Sequence, residues 1–348
     1  MSGCAPVPAM VNPPCFMPIS LAGQFDVGYE AQICDDEAVY FSVGLLPMTL
    51  AFPPDGNATL VSLIKPLAVR PGFVATHLPE VRVLSAFGYV ASSPQIYEPS
   101  LMIMVQGSKV ACLGPRTFEY GTGHYLIQAL SVPFKCETFA TPDKPLYGVS
   151  VAIDRVLLGE LVQALGPASV QESEVQTPES MTSVLIDNAM RDSVERLLRC
   201  LHDPLECQAM GQSRVRDVLY SALRGPQSGV LRALVEQQGQ FARIASAVTY
   251  LHEHYDHALN VDTLARCANM STSTFHEHFK RSTLLSPVQY LKRLRLLKAQ
   301  QLLVAEGLGV AQVALKVGYQ SASQFSREYK RYFERSPGEE SSNLRVPA

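Results

Sequence analysis

The segment QFSREYKRYF, residues 324–333, decides the fold of the C-terminal half. It places two aromatic residues, Phe325 and Tyr329, four positions apart among three basic residues. Fifty residues earlier, the segment TFHEHFKRS, residues 274–282, repeats the two aromatics and the Lys-Arg pair that follows them. Because residues i and i+4 lie on one face of an α-helix, each segment predicts a basic helix with a buried aromatic face. The chain therefore contains two copies of one structural unit.

Each copy is preceded by the pieces of a second, shorter helix. The small residues Ala265 and Ala314 stand ten and eleven positions before the first aromatic residue of their copies. A small residue lets two helices cross closely, and Ser271 or Ser321 at the start of the aromatic helix can cap its free amides. Together these features predict two helix-turn-helix units.

The two copies are joined by SPVQYLKRLRLLKAQQLLVAEG, residues 286–307. Pro287 follows a serine that can cap the helix, and Gly307 is a stop signal, so the segment predicts one helix of about 20 residues and roughly 30 Å. One turn of DNA is about 34 Å. We therefore expect two recognition helices that enter successive major grooves on one face of the duplex.

In a helix-turn-helix unit the first residues of the second helix lie near the base edges. With the aromatic face buried, the residues predicted to contact bases are Ser273, Thr274, His276, Glu277, Ser321, Ser323, Gln324 and Arg327. Arg327 suits guanine and Gln324 suits adenine, whereas Glu277 would repel phosphate unless it meets a cytosine amino group. The residues predicted to contact phosphates are Lys280, Arg281, Lys330 and Arg331.

The alternative is that each basic helix is an ordinary solvated amphipathic helix. Two copies in register, with matching caps and a connector of the right length, favour DNA binding instead. The charge distribution agrees, because residues 241–335 hold 13 Lys and Arg against 7 Asp and Glu, a net +6 that leaves −9 for the remainder of a chain of net charge −3. This is the asymmetry of a basic module joined to an acidic one.

The whole-chain features exclude several classes of protein. Apolar runs stay below 18 residues, so no membrane span is expected. The N-terminal MSGCAPVPAMVNPPCFMP lacks the pattern of a secretory signal, and eight cysteines without a C-x-x-C pair predict neither a zinc site nor a disulfide framework. We expect a cytoplasmic, nucleoid-associated bacterial protein without cofactor or metal.

The N-terminal half has the sequence pattern of β-strands and not of helices. Residues 38–155 alternate short β-rich segments with Gly and Pro turns, which predicts a barrel or sandwich. Apolar residues at helical spacing then begin near residue 184. The predicted regions are an arm at 1–20, a sensor and dimerisation domain at 21–165, a linker at 166–180, a helical connector at 181–238 and a double helix-turn-helix domain at 239–340.

Residues 239–337 resemble the AraC-type (AraC/XylS) transcription regulators, through LARCANMSTSTFHEHFK, SPVQYLKRLRLLKAQQLL and VALKVGYQSASQFSREYKRYFERSP. The resemblance implies two helix-turn-helix units on promoter DNA, with RNA polymerase as a partner. In the family a glycine commonly follows each recognition helix, but here Leu284 and Glu334 occupy those places. Because a non-glycine residue at positive φ costs about 1 kcal/mol, we expect these turns to use another geometry.

Residues 60–165 resemble a cupin-type N-terminal domain of one branch of this family, through YEPSLMIMVQGSKVACLG and YGTGHYLIQALSVP. The expected fold class is thus α+β multidomain, a cupin-like β-barrel followed by an all-α half. The family implies a small-molecule effector and a homodimer. Candidates to line an effector pocket are Tyr97, Met102, Met104, Tyr120, Tyr125 and Phe134, with plain core packing as the alternative for each.

Cys112 and Cys136 are candidate thiol sensors, because a neighbouring Lys109 or Lys135 would favour the thiolate; inert core cysteines are the alternative. Residues 60–165 contain only two histidines, and LHEHYDH, residues 251–257, lacks the H-E-x-x-H spacing, so no metal enzyme is expected.

The sequence thus predicts a DNA-binding regulator, an activator rather than an enzyme, modulated by its N-terminal domain. The rival hypothesis is a metabolite-binding or enzymatic cupin with a DNA-tethering module, which predicts turnover or metal retention in a fragment ending near residue 165. The helices of residues 181–238 fit either a dimer-supporting bundle or packing within one chain.

Overall fold

The computed structural model describes residues 29–34, 38–43, 54–166, 178–236, 239–306 and 308–343. It divides into two units, Met1–Met48 and Thr49–Ala348. The first unit contains an antiparallel hairpin of β1 (Tyr29–Cys34) and β2 (Ala38–Val43). The predicted arm lies outside the described residues, as does the predicted linker from residue 167 to 177.

The N-terminal part of the second unit is built from two antiparallel sheets. Its described strands are β3 (Gly72–Ala75), β4 (Val81–Ala86), β5 (Val90–Gln95), β6 (Ser100–Gln106), β7 (Ser108–Leu113), β8 (Arg116–Gly121), β9 (His124–Gln128), β10 (Phe134–Phe139), β11 (Leu146–Ala152) and β12 (Met181–Leu185). The smaller sheet has the order β5-β10-β7-β8 and the larger β12-β9-β6-β11-β4-β3. This architecture, two sheets followed by a helical half, confirms the predicted fold class.

The register of the strands identifies the space between the sheets. Phe73, Leu84, Gly148 and Met104 are aligned directly opposite one another across β3, β4, β11 and β6, so they share one face of the larger sheet. The ring of Phe73 contacts Tyr97 edge-on at 5.4 Å, and Tyr97 contacts Phe134 of the smaller sheet at 5.1 Å. This face therefore points into the interior between the sheets.

The described helices are α1 (Pro54–Ile64), α2 (Arg155–Leu165), α3 (Asn188–Cys200), α4 (Pro204–Arg224), α5 (Ser228–Val235), α6 (Gln240–Glu253), α7 (Val261–Cys267), α8 (Thr272–Thr283), α9 (Pro287–Glu306), α10 (Val310–Lys316), α11 (Ala322–Phe333) and α12 (Pro337–Asn343). Aspartate side chains accept hydrogen bonds from the first amides of α2, α3 and α4, as N-caps do. Helix α1 packs on α3 and on β6 and β11.

The helical assignment of residues from 181 onward was wrong at its start. Met181–Leu185 forms β12, which pairs with β9 and becomes the edge of the larger sheet. Backbone hydrogen bonding to β9 stabilises the extended conformation more than the helical spacing of these few apolar residues stabilises a helix. The helices of this region begin at Asn188.

Two hydrophobic cores divide the second unit. One is continuous from the sheets through α3–α8 and reaches Leu294 in α9. The other begins at Leu296 and contains α10, α11 and the last half of α9. The boundary between the cores lies inside one helix, so α9 belongs to both.

Candidate nucleic-acid interface

Helices α7 and α8 form the first helix-turn-helix unit. Buried Ala265 lies in the last turn of α7, and its carbonyl accepts a 2.9 Å hydrogen bond from the Met270 amide, while Asn269 adopts a left-handed φ of 51°. This is the Schellman closure of a helix end. The Ser271 hydroxyl then accepts from the Thr274 amide at 3.2 Å, which confirms the predicted cap.

Helices α10 and α11 repeat this arrangement. The Ala314 carbonyl accepts from the Tyr319 amide at 2.9 Å, and Gly318 has a φ of 82°. A Cβ on Gly318 would meet the Asp256 carbonyl oxygen at 2.5 Å, so glycine is required there. Ser321 caps α11 as predicted. Sequence reasoning missed the left-handed residues of these turns, Asn269 and Gly318. Asparagine and glycine are the residue types that adopt this conformation most readily, so they could have been recognised.

The predicted division of each recognition helix into a buried and an exposed face is confirmed. The four aromatic residues at positions 275, 279, 325 and 329 are fully buried. The residues predicted to contact bases are all exposed, namely Ser273, Thr274, His276, Glu277, Ser321, Ser323, Gln324 and Arg327. Their contact with bases stays a prediction.

Glu328, which sequence reasoning missed, organises the polar face of α11. Its carboxylate accepts from the Tyr319 hydroxyl at 2.7 Å and from the Gln324 amide at 3.1 Å, and it pairs with Lys292 at 3.4 Å. Burial acts to raise the pKa of Glu328, but these three partners outweigh it, so the pKa is lowered and the group is ionised at neutral pH. Among the described residues, exposed Arg327 has no such partner.

The four residues predicted to contact phosphates are exposed, but one of them is engaged elsewhere. Arg281 donates to the Gln240 side chain at 3.2 Å and contacts the ring of His278. It also lines a crevice of about 190 Å³ that it shares with the ion pair of Arg116 and Glu179. Arg281 therefore lies on the side of α8 that faces Arg116 of β8.

The turns after the recognition helices contradict the expectation of another geometry. Leu284 has a φ of 59° and Glu334 a φ of 64°, both in the left-handed region that the family fills with glycine. A Cβ on Gly114, at the β7–β8 turn, would lie 3.6 Å from the Leu284 side chain. Leu284 is partly buried against the core that is continuous with the sheets, and this packing offsets the strain there, whereas exposed Glu334 lacks this support.

The connector between the units is the unbroken helix α9, Pro287–Glu306. Its start is closed by reciprocal bonds, from the Gln289 amide to the Ser286 hydroxyl at 3.3 Å and from the Ser286 amide to the Gln289 side chain at 3.1 Å. The predicted end at Gly307 lies outside the described residues. Over its length of 20 residues the helix confirms the predicted connector.

Helix α9 also forms hydrogen bonds with the β9–β10 connection and with α6. The hydroxyl of fully buried Tyr290 donates to the Ser131 carbonyl, in the β9–β10 connection, and lies 2.8 Å from His252 Nε2. Burial, assisted by the charge of Lys298, lowers the pKa of His252 to about 4. His252 is thus part of a contact between α6, α9 and the β9–β10 connection, whereas the side chain of His257, in the same histidine-rich segment, is exposed.

Five of the six predicted pocket residues point into the interior between the sheets. Tyr97 and Phe134 are in ring contact there, and Met102 and Met104 share the face of Gly148. Tyr120 is aligned with Lys109 on the smaller sheet. Tyr125 is the exception, because it is aligned with Ile103 on the opposite face and its hydroxyl approaches Gly225.

The candidate thiols differ in environment. Cys112 is partly exposed and its sulfur lies 3.8 Å from the Thr117 hydroxyl. Cys136 is buried, and burial raises its pKa although the charge of Lys109 acts in the opposite direction. The activation predicted for Cys136 requires a lowered pKa, so the structure contradicts it.

The described residues contain neither a metal-binding cluster nor a membrane-spanning helix. No group of three or more histidine, cysteine or acidic side chains there could hold a metal ion. Among the same residues, no helix is long and apolar enough to cross a membrane.

Comparison with known families gives two matches. The family described as AraC-type transcriptional regulator N-terminus matches residues 77–230, and a helix-turn-helix domain family matches residues 264–342. The first match spans the strands of the two sheets from β4 to β12 and the helices α2–α4. The second spans both helix-turn-helix units except for the start of α7.

Individual relatives agree with these families. The transcriptional activator RhaS of Escherichia coli (strain SE11) is 33% identical over 96 residues, which are 28% of this chain and 34% of RhaS. RhaS of Enterobacter sp. (strain 638) is 34% identical over 98 residues, 28% of this chain and 35% of RhaS. The match thus spans about a third of these curated relatives. The crystal structure of unsaturated fatty acid-bound wild-type ToxT from Vibrio cholerae strain SCE256 has a TM-score of 0.53 at 11% identity, and covers 80% of this chain and 98% of ToxT, a likeness of fold.

Proposed function

The chain belongs to the AraC-type transcription regulators, and from that premise we propose that it is a transcriptional activator whose two helix-turn-helix units contact two successive major grooves of one promoter. The observation that carries the proposal is the repetition of one unit at both ends of an unbroken helix. Each unit has the same helix closure, the same serine cap and the same buried aromatic pair. A DNA-binding module of this construction does within one chain what a dimer of single units does elsewhere.

The dimensions of the connector support two-groove binding. Helix α9 has 20 residues and is therefore about 30 Å long, close to the roughly 34 Å between major grooves on one face of the duplex. Both units pack against this helix. We expect two conserved promoter boxes about one helical turn apart, with binding that weakens as salt increases.

In this proposal the exposed residues at the start of each recognition helix contact bases, and the basic residues at its end contact phosphates. Arg327 donates two hydrogen bonds to guanine, and Gln324 contacts adenine once its bond to Glu328 is exchanged for the base. Lys280, Lys330 and Arg331 bind phosphates. Arg281 joins them only when it leaves its contacts beside the sheets.

The other partners in this proposal follow from membership of the family. An activator at a promoter contacts RNA polymerase, works at the nucleoid in the cytoplasm, and binds there as a homodimer.

The N-terminal domain is the proposed effector domain. The interior between the sheets, with five inward-facing candidate side chains, supports a small-molecule effector. The contacts of Tyr290 and Leu284 with the sheets supply a route from that domain to the first unit.

The test compares two substitutions in α11. Promoter fragments are obtained by mapping the genomic binding sites, and affinities are measured for the bound sequence and for single-base variants of it. Arg327→Ala should weaken binding by about 1–3 kcal/mol and remove the preference at one base pair. Lys330→Ala, one turn further along, should weaken binding to every sequence alike and reduce the salt dependence. A uniform loss in the Arg327 variant would show that Arg327 does not contact a base.

A further inference from the structure

Arg295 lies at the point of α9 where the two hydrophobic cores meet. Leu294 belongs to the core that is continuous with the sheets, and Leu296 belongs to the core of the second helix-turn-helix unit. The side chain of Arg295 is partly buried at this boundary. A shared helix fixes the distance between two units that pack on it, but a unit with a core of its own can still tilt or rotate unless a further contact prevents it.

The guanidinium of Arg295 binds the connection between α6 and α7. Its Nε donates to the Tyr255 carbonyl at 2.7 Å, and its Nη2 donates to the His257 carbonyl at 2.8 Å. Two N–H groups of one planar side chain thus bind two carbonyls of one short loop, an arrangement that fixes direction as well as distance. This loop leads directly into α7, and α6 packs on both helices of the first unit. Arg295 therefore joins the middle of α9 to the first unit.

The second unit reaches the same point through the turn between α10 and α11. A Cβ placed on Gly318 would lie 2.5 Å from the Asp256 carbonyl oxygen and 2.8 Å from Arg295 Nη2. The backbone of this turn therefore packs directly on the α6–α7 connection and on the guanidinium, with no side chain of its own between them. Tyr255 adds an apolar contact, since it packs against both cores.

Arg295 differs from the residues that bind phosphates in the proposed function. Those residues are exposed, whereas Arg295 is partly buried, and two of its three guanidinium nitrogens are bonded to backbone carbonyls. Its side chain holds together three segments of the chain, which are the α6–α7 connection, α9 and the α10–α11 turn. The contribution of Arg295 to DNA binding is therefore the orientation of the units and not a contact with the duplex.

We propose that Arg295 is a positioning residue that fixes the orientation of the second recognition helix relative to the first, and so determines which spacing of promoter boxes the protein accepts. The inference rests on the proposed binding to two successive major grooves and adds to it the residue that sets spacing specificity. One base pair added between the boxes moves the second box by about 3.4 Å along the duplex and by about 34° around it. Two units held at one orientation match one spacing, because any other spacing requires distortion of the protein or of the DNA.

The first experiment measures the affinity of the full-length protein for promoter fragments in which one base pair is added or removed between the boxes. The wild type should lose affinity about tenfold on either change. Arg295→Met keeps an unbranched side chain and removes both hydrogen bonds, so this loss should shrink to about threefold or less. An Arg295→Met protein that loses as much affinity as the wild type at the altered spacings would overturn the proposal.

The matched control is Arg293→Met on the same helix. Arg293 Cζ lies 5.9 Å from the ring centre of Tyr332 in α11, so this ring contact is with the second unit. The control removes the same charge from α9, and it should weaken binding at every spacing by one common factor. If Arg293→Met relaxed the spacing requirement as much as Arg295→Met, the effect would come from the charge of α9, and the proposal would fail.

A second measurement needs no DNA. Spin labels on an unnatural amino acid replace the exposed residues Ser273 in α8 and Ser323 in α11, so that the native cysteines stay unlabelled. The distribution of distances between the two labels should be narrow in the otherwise wild-type protein and in Arg293→Met, and broader in Arg295→Met. Equal widths in all three proteins would overturn the proposal.

Two further outcomes are distinguishable. If Arg295→Met does not fold, Arg295→Lys replaces it, because lysine keeps the charge and lacks the planar fork; its distance distribution should also be broader, and an unchanged width would overturn the proposal. A wild type that binds every spacing equally would refute binding to two successive grooves, whereas the label distances would still show whether Arg295 orients the units.

Discussion

The two helix-turn-helix units have the same internal construction and different surroundings. The first shares a continuous core with the sheets, and its flanking residues Arg281, Leu284 and Tyr290 all contact or approach the N-terminal domain. The second has a core of its own, against which Ile96 and Tyr255 pack from outside the unit among the described residues. The two units therefore differ in their packing against the N-terminal domain and not in their internal construction.

The largest effect is expected when one buried aromatic ring is removed from each of the two cores. Phe275→Ala and Phe325→Ala each remove a fully buried ring, and each should cost about 3–5 kcal/mol in its own core. Because the cores differ, Phe275→Ala should increase amide hydrogen exchange in the sheets as well as in α7 and α8. Phe325→Ala should increase it in α10 and α11 alone. Equal loss of protection in the sheets of both variants would show that the cores are not separate.

A smaller effect concerns pH and the contact of α6 with α9. His252 has a pKa of about 4 in the fold and about 6.5 when unfolded, so only the unfolded chain binds a proton between these values. The free energy of unfolding should therefore fall as the pH decreases from 6.5 to 4, by up to about 3 kcal/mol, and be unaffected above 6.5. His252→Gln should reduce this slope in urea titrations across the window.

The control for that measurement is His257→Gln, since the His257 side chain is 69% exposed. This substitution removes a histidine and leaves the contact of His252 with Tyr290 in place. If His252→Gln and His257→Gln give the same slope as the wild type, the Tyr290 contact does not hold His252 neutral.

The smallest effect lies in the two left-handed turns. Glu334→Gly should stabilise the protein by about 1 kcal/mol, because glycine adopts a φ of 64° without strain and the exposed side chain contributes little packing. Leu284→Gly should gain less or lose stability, because it removes the contact with the β7–β8 turn. Thermal unfolding of the two variants measures the difference. A gain at Leu284 as large as that at Glu334 would show that this contact does not stabilise the turn.

The double unit could be predicted because its signals are local. The aromatic spacing, the serine caps and Pro287 act within a few residues, and each corresponds to an observed contact. The backbone conformations of Leu284 and Met181 could not be predicted this way, because they depend on residues distant in the sequence. These are the β7–β8 turn near Leu284 and strand β9, with which Met181 pairs. Local rules would place Leu284 outside the left-handed region and Met181 in a helix.

For the interior of the N-terminal domain, the types of residue could be predicted from the sequence but their orientation could not. Aromatic and methionine residues between positions 97 and 134 were candidates for the interior, but only strand parity shows that Tyr125 lies on the face opposite to Met102 and Met104. The enclosed state of Lys109 was invisible in sequence, where a lysine in a strand is normally at the surface. Only the register of β7 between β8 and β10 reveals it.

The central claim, that two units on one helix contact successive major grooves, is tested most directly by hydroxyl-radical footprinting on a promoter to which the protein binds. The account predicts two protected patches on one face of the duplex, about one helical turn apart, and loss of one patch when half a turn of DNA is inserted between the boxes. Two patches on opposite faces, or a single patch that the insertion leaves unchanged, would contradict it.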